Sequence, residues 1–453
     1  MFSTSSNNIV RGEVEKFQSQ QSLLQYLELS LQPTMKKIAV LLFIFLLFTN
    51  IAYSQDMLTW EECAREAGKN HPDLISAMEK VKQARADKAI DMSGMLPQID
   101  AAASGKSAEA SSGATTDTYS YGVTGKQLVF DGFKTLDNVA SSSRSLKAAE
   151  YNYKVISSDI RLSLRNAFVG LLKAQDLISL TDEIAERRRQ SLKLVKLRYE
   201  AGREHKGSLL TAEADLARAE FEVRQAERSV TLAQRELSKE MGLEKLRLAN
   251  AKGEFLVPED YSVKPDLEYL AYVTPFLREL VEKKEAARYD LKSEQADFFP
   301  QVYLNGSAGK TENDWPPKGD EWSFGLSVSL PIFEGGSRVA EIKKARSKWM
   351  QARADERSGR DSVLLTLESA WKDLSDAIEY VFVQKKFLEA TGERARITAA
   401  QYETGLTSFD DWIIIEDNLV SSKKAYLNAQ AAMMTAEAYW IQAIGGTLEY
   451  DKE

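Results

Sequence analysis

The residue pattern of this 453-residue chain occurs twice, at a constant offset of 203 positions. Pro72 recurs as Pro275, Arg85 as Arg288, and Pro97-Gln98 as Pro300-Gln301. Gly122, Phe130 and Gly132 recur as Gly325, Phe333 and Gly335. Tyr199 and Gly202 recur as Tyr402 and Gly405, Glu213 as Glu416, and Gly242 as Gly445. The matched residues are those that punctuate a backbone, and the period is far longer than a solenoid unit. The chain is therefore read as a duplicated half-molecule. Residues 55–251 form the first copy, 252–264 a linker, 265–446 the second copy and 447–453 a C-terminal tail.

Each copy predicts the same order of elements. In the first, a helix over about 59–94 ends before Pro97, because proline cannot continue a helix and biases its predecessor to extended geometry. Strands follow at 98–105 and 119–130, around the polar stretch 106–117, and Gly132 breaks the second strand. A helix over about 133–199 turns at Gly202 into another over about 208–241. The second copy predicts a helix to residue 299, strands near 302–309 and 322–330, a helix to Tyr402, a turn at Gly405 and a last helix to about 444.

The strands alternate. Tyr119, Tyr121 and Val123 interleave with Ser120, Gly122 and Thr124; Phe324, Leu326, Val328 and Leu330 interleave with Gly325, Ser327 and Ser329. This is one apolar face and one small or polar face. Phe298, Phe299, Tyr303, Trp322, Phe333, Phe130 and Phe133 gather near strand ends, as in a membrane-interface belt. The other reading is a water-soluble sheet of two hairpins with one buried face. Leu367, Trp371, Leu374, Ile378 and Val381 form a heptad seam, matched by Leu164, Phe168, Leu171 and Ile178 with Gln175 as a polar interruption. A continuous helix over 133–199 would reach about 100 Å, so such helices must lie side by side.

Residues 35–54 read as an export signal: Lys36-Lys37, an apolar run over 38–48, then Ala52 and Ser54 before a cleavage ahead of Gln55. The run is too short to span about 30 Å of hydrocarbon as a helix. Residues 1–34 precede the good start Met35 and are read as an over-extended N-terminus, the alternative being a long n-region. A net charge of −8 argues against nucleic acid as a partner. Two histidines, His71 and His205, and the single Cys63 exclude an intrachain disulfide and a Cys/His zinc site. No catalytic motif is present, so no enzyme and no cofactor are expected. Cys63 reads as a packing residue, His71 as structural, His205 as a solvated residue or docking contact, and the run 186–190 (ERRRQ) as a solvated helix face.

Four strands cannot close a barrel in lipid, where open edges would leave backbone groups unpaired at several kcal/mol each. If the strands enter a bilayer, copies must associate to finish the wall. Two copies give about eight strands and three about twelve. The barrel and the bundled helices would then form a conduit.

The chain resembles the TolC family of outer-membrane efflux proteins over roughly 56–446. The resemblance rests on Leu96-Pro97-Gln98-Ile99 with Phe299-Pro300-Gln301-Val302, and on Val129-Phe130-Asp131-Gly132 with Pro331-Ile332-Phe333-Glu334-Gly335-Gly336. It rests also on Arg198-Tyr199-Glu200-Ala201-Gly202 with Gln401-Tyr402-Glu403-Thr404-Gly405. It implies an α+β membrane protein. The expected assembly is a homotrimer whose 12-stranded β-barrel, four strands per chain, stands in outer-membrane lipid of a Gram-negative bacterium and continues as a long α-helical barrel in the periplasm. It implies a periplasmic adaptor (membrane fusion) protein and an inner-membrane pump or ABC transporter as partners. Pro97, Phe130, Gly132, Pro300, Phe333 and Gly335 would mark strand–helix junctions. Tyr199, Gly202, His205 and Gly405 would lie at adaptor-docking tips.

In the family the segment after the second turn carries gating acids. The resemblance therefore makes Tyr402, Asp410 and Asp411 the candidate periplasmic gate, while the local reading makes the two acids first-turn residues that favour the helix dipole. Ile414 and Ser208 stand where relatives often carry acids. The implied function is the outer-membrane duct of a tripartite efflux system exporting small molecules. The alternatives are the exit of a type I protein secretion system and, in a different class, a soluble periplasmic coiled-coil scaffold.

Overall fold

The computed structural model describes residues 56–109, 111–256 and 263–449. The export signal, residues 1–34, the middle of the linker and the last four tail residues lie outside them. In chain order the elements are β1 (Asp56–Leu58), α1 (Trp60–Asn70), α2 (Pro72–Ser93), β2 (Gln98–Glu109), β3 (Thr115–Phe130), α3 (Lys134–Glu200), α4 (Lys206–Glu240), β4 (Ala249–Ala251), α5 (Leu267–Val273), α6 (Pro275–Ala296), β5 (Gln301–Glu312), β6 (Asp320–Ser329), α7 (Ser337–Thr404) and α8 (Phe409–Ala443).

The duplication holds to the residue. α2 and α6 both start and end 203 positions apart, as do β2 with β5 and α4 with α8. Gly132, Gly202 and Gly242 take the left-handed backbone, and so do Gly335, Gly405 and Gly445. Phe133 is left-handed as well, with φ 72°, where the second copy supplies Gly336 with φ 88°.

The first helix of each copy is two helices, not one. Pro72 lacks an N–H and holds His71 extended at φ −66°, ψ 122°, so the chain breaks there and restarts with proline at the first helical position. Thr274 and Pro275 repeat the break. His71 caps α2, its Nδ1 accepting from the Asp73 N–H at 3.3 Å. The first two strands extend further into the polar stretch than alternation indicates. The small β1–β4 pair was not visible in the sequence; Gln175, the interruption in the heptad seam, secures it by bonding both backbone groups of Ala251 (2.8 and 3.1 Å).

The sheet order is β2-β3-β5-β6, antiparallel throughout. Register aligns Val123 with Ala308 and Ala308 with Trp322, so the two apolar stripes share one face. From Trp322 to Leu330 that face runs about 26 Å along the strand. Beyond Trp322 the Lys310–Asp320 ion pair (3.1 Å) bounds it. The opposite face carries hydroxyl pairs: Ser104–Ser120 and Ser307–Ser323 (both 2.8 Å), and Asn305 donating to Ser327 at 2.8 Å. Tyr303, grouped above with the aromatic belt, lies on this polar face instead. It stands opposite Ser327, with the Lys126 ammonium 3.9 Å above its ring.

Below the sheet α3 packs against α2 and α6 over its first half and against α4 and α8 over its second; α7 packs against α6 and α8. The heptad seams are core. Leu164, Leu171, Leu367 and Leu374 are fully buried, and Trp371 meets Trp440 edge-on at 5.3 Å. Cys63 is fully buried, which pushes its thiol up to about 12. The run 186–190 is a solvated face at Glu186, Arg189 and Gln190, which are exposed, but not at its first two arginines. Arg187 forks onto buried Glu416 of α8 (2.9 Å), and Arg188, itself buried, pairs with Asp417. A run of charges shows no neighbours in sequence, and here the neighbour is a helix over 200 residues away.

Candidate functional site at the helix turns

The two helix–helix turns are the same motif. Each helix ends in a left-handed glycine, and the next N–H reaches back five residues: Arg203 N to Arg198 O, and Leu406 N to Gln401 O, both 2.8 Å. His205 then caps α4, its Nδ1 accepting from the Ser208 N–H at 3.2 Å. Ser408, the same position shifted, caps α8 by accepting from the Asp411 N–H at 3.1 Å and donating to Asp411 Oδ2 at 2.7 Å. Asp410 and Asp411 thus lie in the first turn of α8, where the helix dipole favours them.

Around these turns sits a small core of Val195, Ala212, Tyr402, Phe409 and Trp412. Tyr402 is fully buried and stacks on Trp412, ring centroids 4.3 Å apart and 15° between planes. The Arg198 guanidinium covers its ring at 4.5 Å and also donates to its carbonyl. Its hydroxyl donates to Glu204 Oε2 at 2.8 Å. Ser208 and the His205 N–H donate to the other Glu204 oxygen at 2.9 and 3.2 Å. Partial burial pulls the Glu204 carboxyl upward, but these hydrogen bonds together outweigh it and hold its pKa below the ordinary glutamate value. Burial, and then the bond to Glu204, push the Tyr402 phenol upward.

The structure brings Tyr402, Gly202, His205, Gly405, Asp410 and Asp411 to one end of the helices. Tyr199, the counterpart of Tyr402, is exposed. Ser208 is buried against Glu204, and Ile414 is exposed. Arg198, Glu204, Phe409 and Trp412 were missed. Arg198 opens the Arg-Tyr-Glu-Ala-Gly motif and Glu204 stands two residues past it, and that adjacency was the available signal.

The junction residues lie at the other end of α3 and α7, about 100 Å along the helices. There Phe130 meets Phe133 edge-on at 5.8 Å. Asp131 accepts from the Thr135 N–H at 2.8 Å, and Lys134 bridges to Asp297 at 2.7 Å. A Cβ on Gly132 would stand 2.6 Å from Phe299. Pro97 and Pro300 immediately precede β2 and β5, while Phe333 and Gly335 lie in the exposed turn into α7.

The sequence profile of the outer membrane efflux protein family matches residues 64–243 and 274–446, one stretch in each repeat. The chain belongs to this family. Among relatives, it is 22% identical over 385 residues to outer membrane efflux protein BepC of Brucella suis, covering 84% of each chain. It is 23% identical over 432 residues to alkaline protease secretion protein AprF of Pseudomonas aeruginosa, covering 89% of this chain and 84% of that one. Its fold matches the open-state MtrE outer membrane channel of Neisseria gonorrhoeae with a TM-score of 0.78 at 19% identity, covering 87% of this chain and 90% of that one. As a family member the chain is an outer-membrane efflux channel protein, and the soluble scaffold reading falls away. No helix among the described residues is long and apolar enough to cross a membrane.

Proposed function

We propose that this protein is the outer-membrane duct of a tripartite efflux system, closed by three copies. Twelve strands form the barrel and twelve helices continue it as a periplasmic tunnel. One observation carries this reading. The outer edges of β2 and β6 have no partner strand among the described residues, while the apolar face, with Trp322 at 78% exposure and Phe324 at 71%, is bare. In lipid the edges must be paired and the apolar face is at home.

The turns form the periplasmic end. Tyr402 and Glu204 hold the two hairpins of one chain together there, and Asp410 and Asp411 supply carboxylates that, in a ring of copies, attract cations. Tyr199, Gly202, His205 and Gly405 offer the surface for a periplasmic adaptor, which joins the duct to an inner-membrane pump or ABC transporter. The mass of the detergent-extracted particle together with its conductance in planar bilayers tests the reading. A multiple of the chain mass with discrete conductance supports it, and a non-conducting single chain overturns it.

Small molecules are the proposed cargo. A second reading, the exit of a type I protein secretion system, draws on the similarity to a protease secretion protein. Hypersensitivity to toxic compounds on deletion supports the first; loss of a secreted protein without hypersensitivity supports the second.

A further inference from the structure

The two histidines of this chain, His71 and His205, play the same part. His71 stands at the N-cap of α2 and His205 at the N-cap of α4. In each, the ring Nδ1 accepts a backbone N–H of the helix it starts, from Asp73 at 3.3 Å and from Ser208 at 3.2 Å. Both lie in the first repeat. Their counterparts at the offset of 203 are Thr274 and Ser408. Ser408 caps α8 with a hydroxyl that accepts from the Asp411 N–H at 3.1 Å, the same step along the chain as from His205 to Ser208. Thr274 gives its hydroxyl to the Ala271 carbonyl at 2.8 Å, and α6 begins without a side-chain cap. Where the first repeat starts a helix on a titrating ring, the second starts it on a group that does not titrate.

An imidazole accepts a hydrogen bond only while one nitrogen is bare. Once it is protonated both nitrogens donate, so the cap is lost and a positive charge stands against the N–H groups at the positive end of the helix dipole. Imidazole is the side chain that ordinarily changes charge between about pH 5 and 8. The surroundings of His205 give the protonated ring a place to go. Glu204 accepts from the His205 N–H at 3.2 Å, the Ser208 hydroxyl at 2.9 Å and the Tyr402 hydroxyl at 2.8 Å. Its carboxyl titrates below the ordinary glutamate value, so it stays charged across most of the imidazole window. The flanking cations Arg203 and Lys206 are exposed, and the Arg198 guanidinium is engaged on the Tyr402 ring and carbonyl. His205 is itself exposed, so its ring is free to turn, while Ser208 is 1% exposed and its N–H has no water to replace the ring.

We propose that His205 is an acid switch at the turn end of the molecule, and that it acts on one of the two turns only. On taking a proton the ring releases the Ser208 N–H and turns to Glu204. The start of α4 then loosens, and the oxygens that hold Ser208 and Tyr402 are shared with a cation. The turn capped by Ser408 carries no such ring and holds. His71 brings the same chemistry to the start of α2. There Asp73 and Lys80 of α2, Asp159 of α3, and Lys239 and Glu240 of α4 line a cavity of about 570 Å³ beside the ring. Lys239 is paired with Glu240 at 2.7 Å, and Asp159 accepts from Gln442 at 2.8 Å. Resting on the reading of the turns as the periplasmic end of the duct, the switch makes that end answer to a mildly acid periplasm through its first repeat alone.

Hydrogen exchange read by mass spectrometry on the detergent-extracted full chain tests this at about pH 8 and about pH 5.5, with labelling times scaled to the intrinsic rate at each pH. Relative to that rate, the amides over 206–212 should exchange about fivefold faster at the lower pH, the size of a lost cap, while those over 409–415 should not change. His205→Ser, which copies the cap of the second turn, should abolish the response. Ser408→His should carry it to 409–415. His71→Thr should abolish the corresponding response over 72–78 and leave 206–212 as in wild type. A first turn indifferent to pH, a response over 206–212 that survives His205→Ser, or a second turn still indifferent in Ser408→His overturns the proposal. So does an equal response at both turns of the wild type. These outcomes do not depend on how many copies associate, so their failure leaves the duct standing, whereas the duct falls on particle mass and conductance.

Discussion

Tyr402 donates its hydroxyl to Glu204 across 2.8 Å, tying the last turn of α7 in the second repeat to the loop after α3 in the first. It is the hydrogen bond of this side chain across the repeats, while Arg198 of the first repeat covers the ring and Trp412 stacks on it. Tyr402→Phe keeps the stack and removes the link, at about 1 kcal/mol. The open fraction of the turn end should rise about fivefold, read as the open probability of single channels. Unchanged gating would assign the tyrosine to packing alone.

Acid should loosen the same link. Glu204 titrates below its ordinary value, so its contribution is present above the ordinary glutamate range and fades as pH falls through that range toward the lowered value. Open probability should therefore climb on acidification below about pH 5, where unperturbed glutamates begin to take up protons. Glu204→Gln should flatten that climb. A climb that persists in Glu204→Gln would move the acid sensor elsewhere.

Asp411 has two separable properties, a cap acceptor and a charge. Asp411→Asn keeps an oxygen for the Ser408 hydroxyl and removes the charge, so it should lower cation selectivity with little change in thermal unfolding. Asp411→Ala should also weaken the start of α8, by about 0.5–1 kcal/mol. Selectivity equal to wild type in both variants would leave Asp411 a cap only.

Two left-handed glycines should respond differently to substitution. Gly405 has open space around it, with only Arg198 Nη2 at 3.7 Å, so Gly405→Ala costs about 1 kcal/mol from backbone strain. A Cβ on Gly242 would stand 2.6 Å from the Asn70 carbonyl, so Gly242→Ala should cost about 3 kcal/mol or more and lower assembly yield. Gly405→Val should leave the oligomer intact and weaken cross-linking to an adaptor. Detergent melting curves and gel filtration read both; equal losses at the two positions would contradict the contrast.

Much of this architecture was legible because the duplication prints the same punctuation twice. Pro97 and Pro300, Gly202 and Gly405 fix element ends wherever a backbone rule acts within a few residues. The break at His71-Pro72 was equally local, and an amphipathic pattern running across it masked it. What sequence withheld was long-range. Nothing near Arg187 announces Glu416, nothing near Tyr402 announces Glu204, and Tyr303 carries an aromatic ring suited to lipid on the strand side where its register sets it under Lys126. The candidate gate residues were found through family resemblance. Their surroundings, Arg198, Trp412 and the cap formed by Ser408, follow only from the three-dimensional path of the helices.

The hydroxyl pairs on the polar side of the sheet have one more consequence. Serine and threonine rotate freely and exchange one hydrogen bond for another at little cost, so a wall of them stays wet without gripping anything. A solute moving along such a surface meets water already in place and sheds none of its own. In the proposed duct, neutral compounds of quite different chemistry should slide past these pairs with similar ease, and discrimination by charge falls to Asp100, Lys106 and Lys126, which share the face.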